Sequence, residues 1–497
     1  MDRREFLKTS LAAAAWAATG CVDPGLRPPR PVGDDDPLAR LDGMAQAELV
    51  RRGEVTPADL VQAAMRRSAA LDPSLNAVVT KSFDRALARA AEPLEGPFAG
   101  VPYLLKDLTE WQGVRCTQGS RLFLERISHQ TEPFVARSEE AGLVVMGKSN
   151  TPEFGLLPST EGLALGVARN PWNPAHSTGG SSGGAAAAVA AGIVPLAEAS
   201  DGGGSIRIPA ACCGVFGLKP SRRRMLADAA PDGAGLDAHH CLSRSVRDSA
   251  RLLWLTEQRG DDAPLRPVGL VTEASPRRLR IALSTRTYLG DEPDPEVKAA
   301  AEAAAKLCAG LGHELVEGSP RLSGEEFAQH FLTVWSVGPA RLVEQLGRDP
   351  GALAKLEPWT LGLAEEYARK PLGSLEAALA YFGEVERVVD DFFGGVHAWL
   401  TPVVASLPPV LGELAPDVPF ATLRERCIRY VTYTPVHNVA GTPAMSVPLA
   451  WSASGLPIGV QFAARSGDEA LLLALAYELE AAQPWQGRWP ALSAVKG

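Results

Sequence analysis

Two glycine-serine clusters constrain this chain more than any other feature of its sequence. The first is TGGSSGG at Thr178–Gly184, and the second is DGGGS at Asp201–Ser205. Glycine lets the backbone adopt positive φ and approach a ligand closely. The residues between the clusters predict a small-residue helix, Ala185–Ala191, and an apolar strand around Ile193–Ala197, which is not the composition of a flexible linker. We therefore interpret both clusters as parts of the folded body.

Strands alternate with helices along the chain, which is typical of an α/β protein. Apolar runs at Gly100–Leu108 and Ala141–Asn150 predict buried strands that lead into loops. Asp294–Gly312 has the spacing of an amphipathic helix, and Gly441–Ala464 predicts two strands joined by a glycine-containing turn. Residues 318–413 are rich in helix signals and are predicted to cover one side of a pocket.

Charge and cysteine content narrow the function classes. The 497 residues carry a formal net charge of −9, which argues against nucleic acid as the main partner. Seven cysteines are scattered along the chain, and no CxxC pair occurs among them. They are predicted to be buried apolar side chains rather than a disulfide framework or a metal site.

The N-terminal residues are predicted to be a targeting segment rather than part of the fold. Arg3 and Arg4 precede an apolar run, Leu11–Thr19, that is too short to span a bilayer. The paired arginines, followed by Phe-Leu-Lys, are similar to a twin-arginine export signal. Residues 1–21 are therefore interpreted as a twin-arginine signal peptide.

The end of this segment carries a candidate lipobox. Ala18–Cys21 is similar to a lipoprotein cleavage site, with Cys21 as the candidate lipid anchor. Residues 22–40 are rich in proline and aspartate and predict an extended linker. Together these features predict an exported protein, either periplasmic or anchored to the membrane as a lipoprotein.

The two clusters match the needs of acyl-transfer chemistry. GGSSGG lacks the Gly-Lys-Ser/Thr of a phosphate-binding loop, so that function is excluded. A nucleophilic serine needs a base, and it needs backbone N–H groups that hold an oxyanion; Gly202–Ser205 offers such groups. The base is either Lys106 or a histidine such as His176. Lys106 lies at the end of a predicted buried strand, where burial would lower its pKa. A loop histidine without a catalytic role is the alternative interpretation of His176.

The long stretch GGSSGGAAAAVAAGIVPLAEASDGGGSIRIPAACCGVFGLKPS resembles the signature region of the amidase signature family. The likeness extends to GVPYLLKDL and GKSNTPEFGLLPSTE upstream and to NVAGTPAMSVPLAWSASGLPIGVQFAA downstream. It covers most of the chain and implies one amidase signature domain at residues 41–490. The fold that it implies is a mixed central β-sheet covered by helices on both faces.

The resemblance also implies a Ser–cis-Ser–Lys triad. Ser205 matches the nucleophile, Ser181 the bridging serine and Lys106 the base. The positions that match the oxyanion hole are Gly202, Gly203, Gly204 and Ser205, and those that match supporting residues are Ser182, Asp201 and Arg207. After Ser221 the chain has Arg222–Arg224, where family members often have Gly-Arg.

The function that the resemblance implies is hydrolysis of a small-molecule carboxylic amide through an acyl-enzyme, with no metal and no cofactor. SNTPEFGLLPSTE, NPWNP and ASDGGGSIRIPA are similar to the branch that contains 6-aminohexanoate cyclic-dimer hydrolase, which suggests a linear or cyclic aminoalkanoate amide as substrate. Two alternatives stay open: the amidase-like subunit of a tRNA-dependent amidotransferase, and a non-catalytic amide-binding lipoprotein. The oligomeric state is open, with a homodimer as one option.

Overall fold

A computed structural model describes residues 36–226, 234–347 and 349–495. The signal peptide, Cys21 and most of the linker predicted above lie outside the described residues. Within the described ranges, no helix is long and apolar enough to cross a membrane.

Strands and helices alternate along the described chain. The strands, β1 to β11 in chain order, are Val78–Lys81, Pro102–Lys106, Val144–Ser149, Leu196–Asp201, Phe216–Lys219, Ala238–Ser243, Arg280–Leu283, Glu314–Glu317, Ala398–Pro402, Ala444–Trp451 and Pro457–Ala463. The α-helices, α1 to α16 in chain order, are Gly43–Arg51, Pro57–Leu75, Phe83–Ala90, Pro133–Glu140, Gly183–Ala190, Arg207–Cys213, Val246–Thr256, Pro295–Gly310, Gly324–Trp335, Val337–Gln345, Pro350–Leu353, Pro358–Ala368, Ser374–Phe393, Phe420–Tyr430, Pro435–Val439 and Glu469–Ala482.

The strands form a large mixed sheet and a small one. The large sheet has eight strands in the order β4-β6-β5-β10-β11-β9-β7-β8. Its β7 strand is parallel to β8 and β9, and its other pairs are antiparallel. The small sheet has the order β1-β3-β2 and places the β2 strand, with Lys106 at its end, parallel to β3. The predicted α/β class with a mixed sheet is confirmed, and the small sheet is an addition to it.

Helices cover both faces of the large sheet because side chains alternate between the faces of a strand. On β4, Leu196 packs into a core that includes α7, α8 and α16, whereas the next residue, Ala197, packs with α5 and α6. The α5 helix, built from glycine, alanine and valine, is buried along its whole length. A Cβ on Gly184 would lie 2.3 Å from the backbone N of Asn150, so this close packing requires glycine.

The predicted strand around Ile193–Ala197 is wrong in its bounds. Gly192 has φ of +76°, and the chain turns there before β4 begins at Leu196. Pro195 has no N–H to donate to a neighbouring strand, so pairing starts after it. The strand therefore runs on to Asp201 and delivers the second cluster at the end of β4.

Other predicted elements are confirmed. The α8 helix lies inside Asp294–Gly312, and β10 and β11 form the hairpin predicted at Gly441–Ala464. Residues 318–413 contain α9 to α13, as their helix signals predict, but β9 also lies there, between β11 and β7 of the large sheet, and was missed. The cysteines of the described chain form no disulfide, and all except Cys427 are fully buried.

Candidate active site

Lys106 and Ser181, 75 positions apart in the sequence, meet in the fold. The Lys106 Nζ lies 2.8 Å from the Ser181 Oγ and 3.0 Å from the Ser200 Oγ. The lysine is 1% exposed. Burial lowers the pKa of Lys106 to about 8, although the carboxylates of Glu198, Asp237 and Asp201 act in the opposite direction. The structure therefore places an amine of lowered pKa against a serine hydroxyl. The neutral form of this amine can act as a base.

The first glycine-serine cluster brings Ser181 to this position. The peptide bond between Gly180 and Ser181 is cis. A Cβ on Gly180 would lie 2.4 Å from the Ser159 backbone O, so only glycine fits at this position. The next residue, Ser182, donates its backbone N–H to the Ser205 backbone O at 3.3 Å, and its Oγ donates to the Ser200 backbone O at 3.2 Å. The two clusters are thus joined directly.

The second cluster forms a loop of backbone N–H groups beside Ser205. The Gly204 N–H donates to Asp201 Oδ1 at 2.7 Å. The N–H groups of Gly202, Gly203 and Ser205 have no hydrogen-bond acceptor among the residues that the structure describes. Gly204 has φ of +136°, which favours glycine. The loop therefore offers three N–H donors, and the fourth position predicted for an oxyanion hole, Gly204, is already committed to Asp201.

A buried ion pair supports this loop. Asp201 and Arg207 are wholly buried, and Arg207 Nε and Nη2 donate to the two Asp201 carboxylate oxygens at 3.0 and 2.9 Å. Burial alone would raise the pKa of Asp201, but the Arg207 charge and hydrogen bonds hold it well below its usual range. Asp201 Oδ2 also accepts the Ile206 N–H at 3.1 Å. A fixed carboxylate thus holds the backbone on both sides of Ser205.

Residues from the C-terminal part of the chain complete this network. Asn438 donates its Nδ2 to Asp201 Oδ1 at 2.9 Å and accepts from Arg207 Nη2 at 2.7 Å. Gln461 accepts from Arg207 Nη1 at 2.9 Å, and the Thr434 Oγ1 donates to the Gly203 backbone O at 2.7 Å. Sequence reasoning missed all three roles. The available signal was Asn438, which heads the stretch NVAGTPAMS that carries the family likeness.

The structure pairs His176 with a different part of the chain. Its Nδ1 lies 2.8 Å from the Pro408 backbone O, and its backbone forms a bridge with Val410. Within the described chain it makes no hydrogen bond to Ser181 or Ser205. Lys106, rather than His176, is therefore the basic group that the fold brings to the serines.

A cavity opens beside Ser205, which is 8% exposed. Three aromatic rings on one face of α9 form a ladder along its wall: the Phe327 and Phe331 centroids are 6.1 Å apart, and those of Phe331 and Trp335 are 5.4 Å apart. A Cβ on Gly203 would lie 3.1 Å from the Phe331 Cζ, so this ring sits directly against the loop. None of the lining residues in the described chain is Asp, Glu, Lys or Arg. Other lining residues are Leu156, Leu157, Ile208, Tyr288, Leu289, Trp359, Ile428 and Val431.

One wall of the cavity is formed by the segment predicted to cover a pocket. Trp335 on α9 and Trp359 on α12 both donate their indole N–H to the Leu156 backbone O, at 3.3 and 3.2 Å. These bonds attach the helices to the loop that follows the small sheet. The predicted cover over one side of the site is confirmed. Within the described residues, no three His, Cys, Asp or Glu side chains are grouped to hold a metal ion.

Comparison with known proteins finds relatives over nearly the whole described chain. Residues 59–473 match the family described as Amidase. The chain is 40% identical over 468 residues to a putative amidase AmiC of Mycobacterium tuberculosis (strain ATCC 25618 / H37Rv), which covers 91% of this chain and 96% of that protein. It is 40% identical over 480 residues to the 6-aminohexanoate-cyclic-dimer hydrolase of Pseudomonas sp. (strain NK87), with 91% and 96% covered. A solved structure of 6-aminohexanoate cyclic dimer hydrolase complexed with substrate superposes with a TM-score of 0.85 at 35% identity, covering 91% of this chain and 99% of that one.

Proposed function

Since this chain belongs to the amidase signature family and is a hydrolase of amide C–N bonds, we propose that Ser205, Ser181 and Lys106 carry out the hydrolysis through an acyl-enzyme. The observation that carries this proposal is the 2.8 Å contact between Lys106 Nζ and Ser181 Oγ. Ser205 opens onto the cavity, and its own N–H and those of Gly202 and Gly203 lack acceptors in the described chain.

In the acylation step, neutral Lys106 accepts the Ser181 hydroxyl proton while Ser181 accepts the proton of Ser205. The Ser205 Oγ attacks the amide carbonyl carbon, and its negative charge passes to the carbonyl oxygen. The N–H groups of Gly202, Gly203 and Ser205 stabilise that oxyanion. An unperturbed lysine has a pKa of about 10.4 and is almost wholly charged at neutral pH. A pKa of about 8 leaves a useful neutral fraction of Lys106.

The C–N bond breaks when the leaving nitrogen receives a proton from Ser181, which is replenished from the Lys106 ammonium. The departing amine leaves an ester between Ser205 and the acyl group. Water, deprotonated by the same Ser181–Lys106 pair, attacks the ester, releases the carboxylic acid and restores Ser205. The activity should rise with pH as Lys106 loses its proton, with an apparent pKa near 8 in the pH profile of kcat/KM.

The cavity supports an uncharged substrate. Its aromatic and aliphatic lining has no charged side chain in the described chain, and burial of an unpaired ammonium or carboxylate there is unfavourable. A linear aminoalkanoate amide carries such charges at its ends, whereas the cyclic form does not. We therefore infer a cyclic aminoalkanoate amide as the substrate, in agreement with the activity for which the similar 6-aminohexanoate cyclic-dimer hydrolases are named.

The test is hydrolysis by the purified chain with no added partner. The kcat/KM for a cyclic amide should exceed that for a linear amide of matched chain length by at least about tenfold. The free energy needed to bury one unpaired charge of the linear amide is larger than the free energy that corresponds to a tenfold ratio. Fluorophosphonate should label Ser205 and stop turnover. Activity that appears only with a tRNA-dependent partner would favour the amidotransferase alternative, and amide binding without turnover would favour the non-catalytic one.

We also propose export by the twin-arginine route, on the sequence of the N-terminal residues alone. Fractionation of cells that express the full chain should recover it outside the cytoplasm, and changing Arg3 and Arg4 to lysine should retain it inside. Metabolic labelling with a fatty acid tests Cys21 as the lipid anchor, with Cys21→Ala as the unlabelled control. Recovery of the wild-type chain only in the cytoplasm would contradict the export proposal.

A further inference from the structure

Glu198 is a buried carboxylate beneath the candidate base, and the mechanism above does not use it. It lies on β4, wholly buried, two positions before Ser200. Residues two apart on a strand share a face, and Ser200 uses that face to contact the Lys106 Nζ. Glu198 Oε2 accepts the Lys106 backbone N–H at 2.5 Å. The same side chain thus fixes the backbone from which the lysine extends.

The other carboxylate oxygen of Glu198 faces the neighbouring strand β6. Its Oε1 lies 3.5 Å from the His239 Nδ1, and the His239 side chain is 17% exposed. Burial alone would raise the pKa of the Glu198 carboxyl, but His239 and the Lys106 N–H and ammonium lower it below its usual range. Glu198 is therefore ionised when the lysine titrates. A fixed negative charge lies close to a buried amine.

We propose that Glu198 is a positioning residue that holds Lys106 in place and keeps it a strong enough base. This inference rests on the proposed role of Lys106 in the reaction. Burial weakens the amine as a base, and a neighbouring carboxylate strengthens it again. A general base works best when its proton affinity suits the working pH, so a buried lysine with no such neighbour would remove the Ser181 proton less readily.

Several other titratable groups face these two side chains. Asp201 at the end of β4 and Asp237 before β6 also raise the pKa of Lys106, after Glu198 in size. Tyr103 on β2 and Cys241 on β6 face Glu198, and burial raises the pKa of both well above its usual value, so they stay neutral. Glu132 lies at the start of α4, where burial raises its pKa and the His239 charge opposes this. Glu198 has the largest effect among the charges on Lys106.

Glu198→Gln tests the proposal because it removes the charge and keeps an oxygen that can accept the Lys106 N–H. The acid limb of the kcat/KM profile should move to lower pH by about one unit or more. The limiting rate at high pH should fall several-fold because the base is weaker. KM should hardly change, since Glu198 does not line the cavity. Glu198→Asp keeps the charge and should keep the limb near its wild-type position.

Glu257→Gln is the matched control. Glu257 is also buried, and it accepts the Val268 N–H at 2.7 Å, away from the lysine. This variant should leave the acid limb in place whatever it does to stability. If Glu198→Gln does not fold, Glu198→Asp and Glu198→Asn replace it, and the limb of the Asn variant should lie at lower pH than that of the Asp variant.

An acid limb that stays at the wild-type pH in a folded, active Glu198→Gln enzyme would overturn the proposal. A uniform loss of rate at every pH would also overturn it, because a merely structural role predicts that result. The proposed function fails separately: turnover retained by Ser205→Ala would remove the triad itself. The rate of fluorophosphonate labelling against pH gives the same limb without turnover, so each variant can be scored even if it hydrolyses slowly.

Discussion

Each side of the cavity is supported by a buried carboxyl group, and the pKa values of the two groups are shifted in opposite directions. On the core side, Asp201 is clamped by Arg207, which holds its pKa well below the usual range. On the side of the helical cover, Glu357 precedes α12, and burial together with the neighbouring Glu153 raises its pKa to about 8. The loop beside Ser205 therefore depends on a permanent charge, whereas the cover is attached in part through Glu357, whose carboxyl keeps its proton up to about pH 8.

The contacts of Glu153 show how the cover is attached. Its Oε1 accepts from the Ser120 Oγ at 2.6 Å, and its Oε2 accepts from the Glu357 backbone N–H at 2.9 Å and the Thr360 Oγ1 at 2.5 Å. Glu357 Oε1 in turn accepts the Leu163 N–H at 2.6 Å. Changes on the core side should thus abolish chemistry or folding, while changes on the cover side should alter substrate choice and pH dependence.

The largest expected effect is that of Ser205→Ala, which removes the proposed nucleophile from the core side. Turnover should fall by about 10⁶-fold, the scale measured when a hydrolase loses its nucleophile. Covalent labelling by fluorophosphonate should vanish with it. His176→Ala is the control, because His176 bonds to Pro408 instead, and its kcat should stay near the wild-type value. Equal damage from both variants would mean that the histidine, not the serine–lysine pair, activates the nucleophile.

Lys106→Ala and Ser181→Ala test the proposed proton path between Lys106, Ser181 and Ser205. Each removes one partner of the 2.8 Å contact, and each should lower kcat by about 10³-fold or more. The double variant should be little slower than either single variant, because residues that act as a unit are not additive. Rates measured for all three at one pH check this. Losses that multiply would show that the two residues act independently.

Asp201→Asn breaks the charged clamp and leaves Arg207 buried without its counter-ion. The unfolding free energy should fall by about 3–5 kcal/mol. The remaining folded enzyme should turn over more slowly, because one of the two Asp201 oxygens that accept the Gly204 and Ile206 N–H groups becomes an amide NH2, which cannot accept. Urea unfolding measures the first effect. Asp390→Asn breaks an exposed pair with Arg465 and should cost at most about 1 kcal/mol. A similar loss of unfolding free energy in both variants would contradict the expected difference between the buried Asp201–Arg207 pair and the exposed Asp390–Arg465 pair.

Phe331→Ala opens the aromatic ladder of the cover. The kcat/KM for apolar cyclic amides should fall about tenfold, since the lost contact area is that of a substrate-facing ring. Hydrolysis of a small amide such as acetamide should change much less. Phe392→Ala, whose ring packs on Phe393 and Trp399 elsewhere in the cover, should leave this ratio unchanged. An equal fall in kcat/KM for cyclic amides and for acetamide would mean that Phe331 supports the Gly202–Ser205 loop rather than selecting the substrate.

The smallest expected effect on activity belongs to Glu357→Gln. The folded pKa of Glu357 lies above its unfolded value, so the unfolded chain binds fewer protons between about pH 4.5 and 8. Wild-type stability should therefore fall as pH rises through this window. Glu357→Gln should flatten that slope and raise the unfolding free energy at pH 8. The control Glu365→Gln, at an exposed position of α12, should keep the wild-type slope. A slope that survives in the Glu357 variant would assign it to other groups.

Much of the fold could be predicted from local pattern. The α2 helix begins with a cap at Thr56 to which Asp59 bonds back, and this Thr-Pro-x-Asp spacing is a helix-start signal within four residues of sequence. Apolar runs located β2 and β3, and the family likeness pointed to Lys106, Ser181 and Ser205. The strand β9 was missed because its few residues lie within a region of strong helix signals.

The sequence by itself determined the local features, which depend on residues close together in the chain. The glycines beside Ser181 and Ser205 and the small residues of α5 can be found in the sequence, because each acts within a single turn or helix. The tertiary structure alone decided which distant groups share a site. Because β10 lies between β5 and β11, the segment that carries Asn438 and Gln461 reaches the Asp201–Arg207 pair. The sequence predicted that burial lowers the pKa of Lys106, but the opposing charge of Glu198 could be found only in the fold, because β2 and β4 meet only once the sheets have assembled.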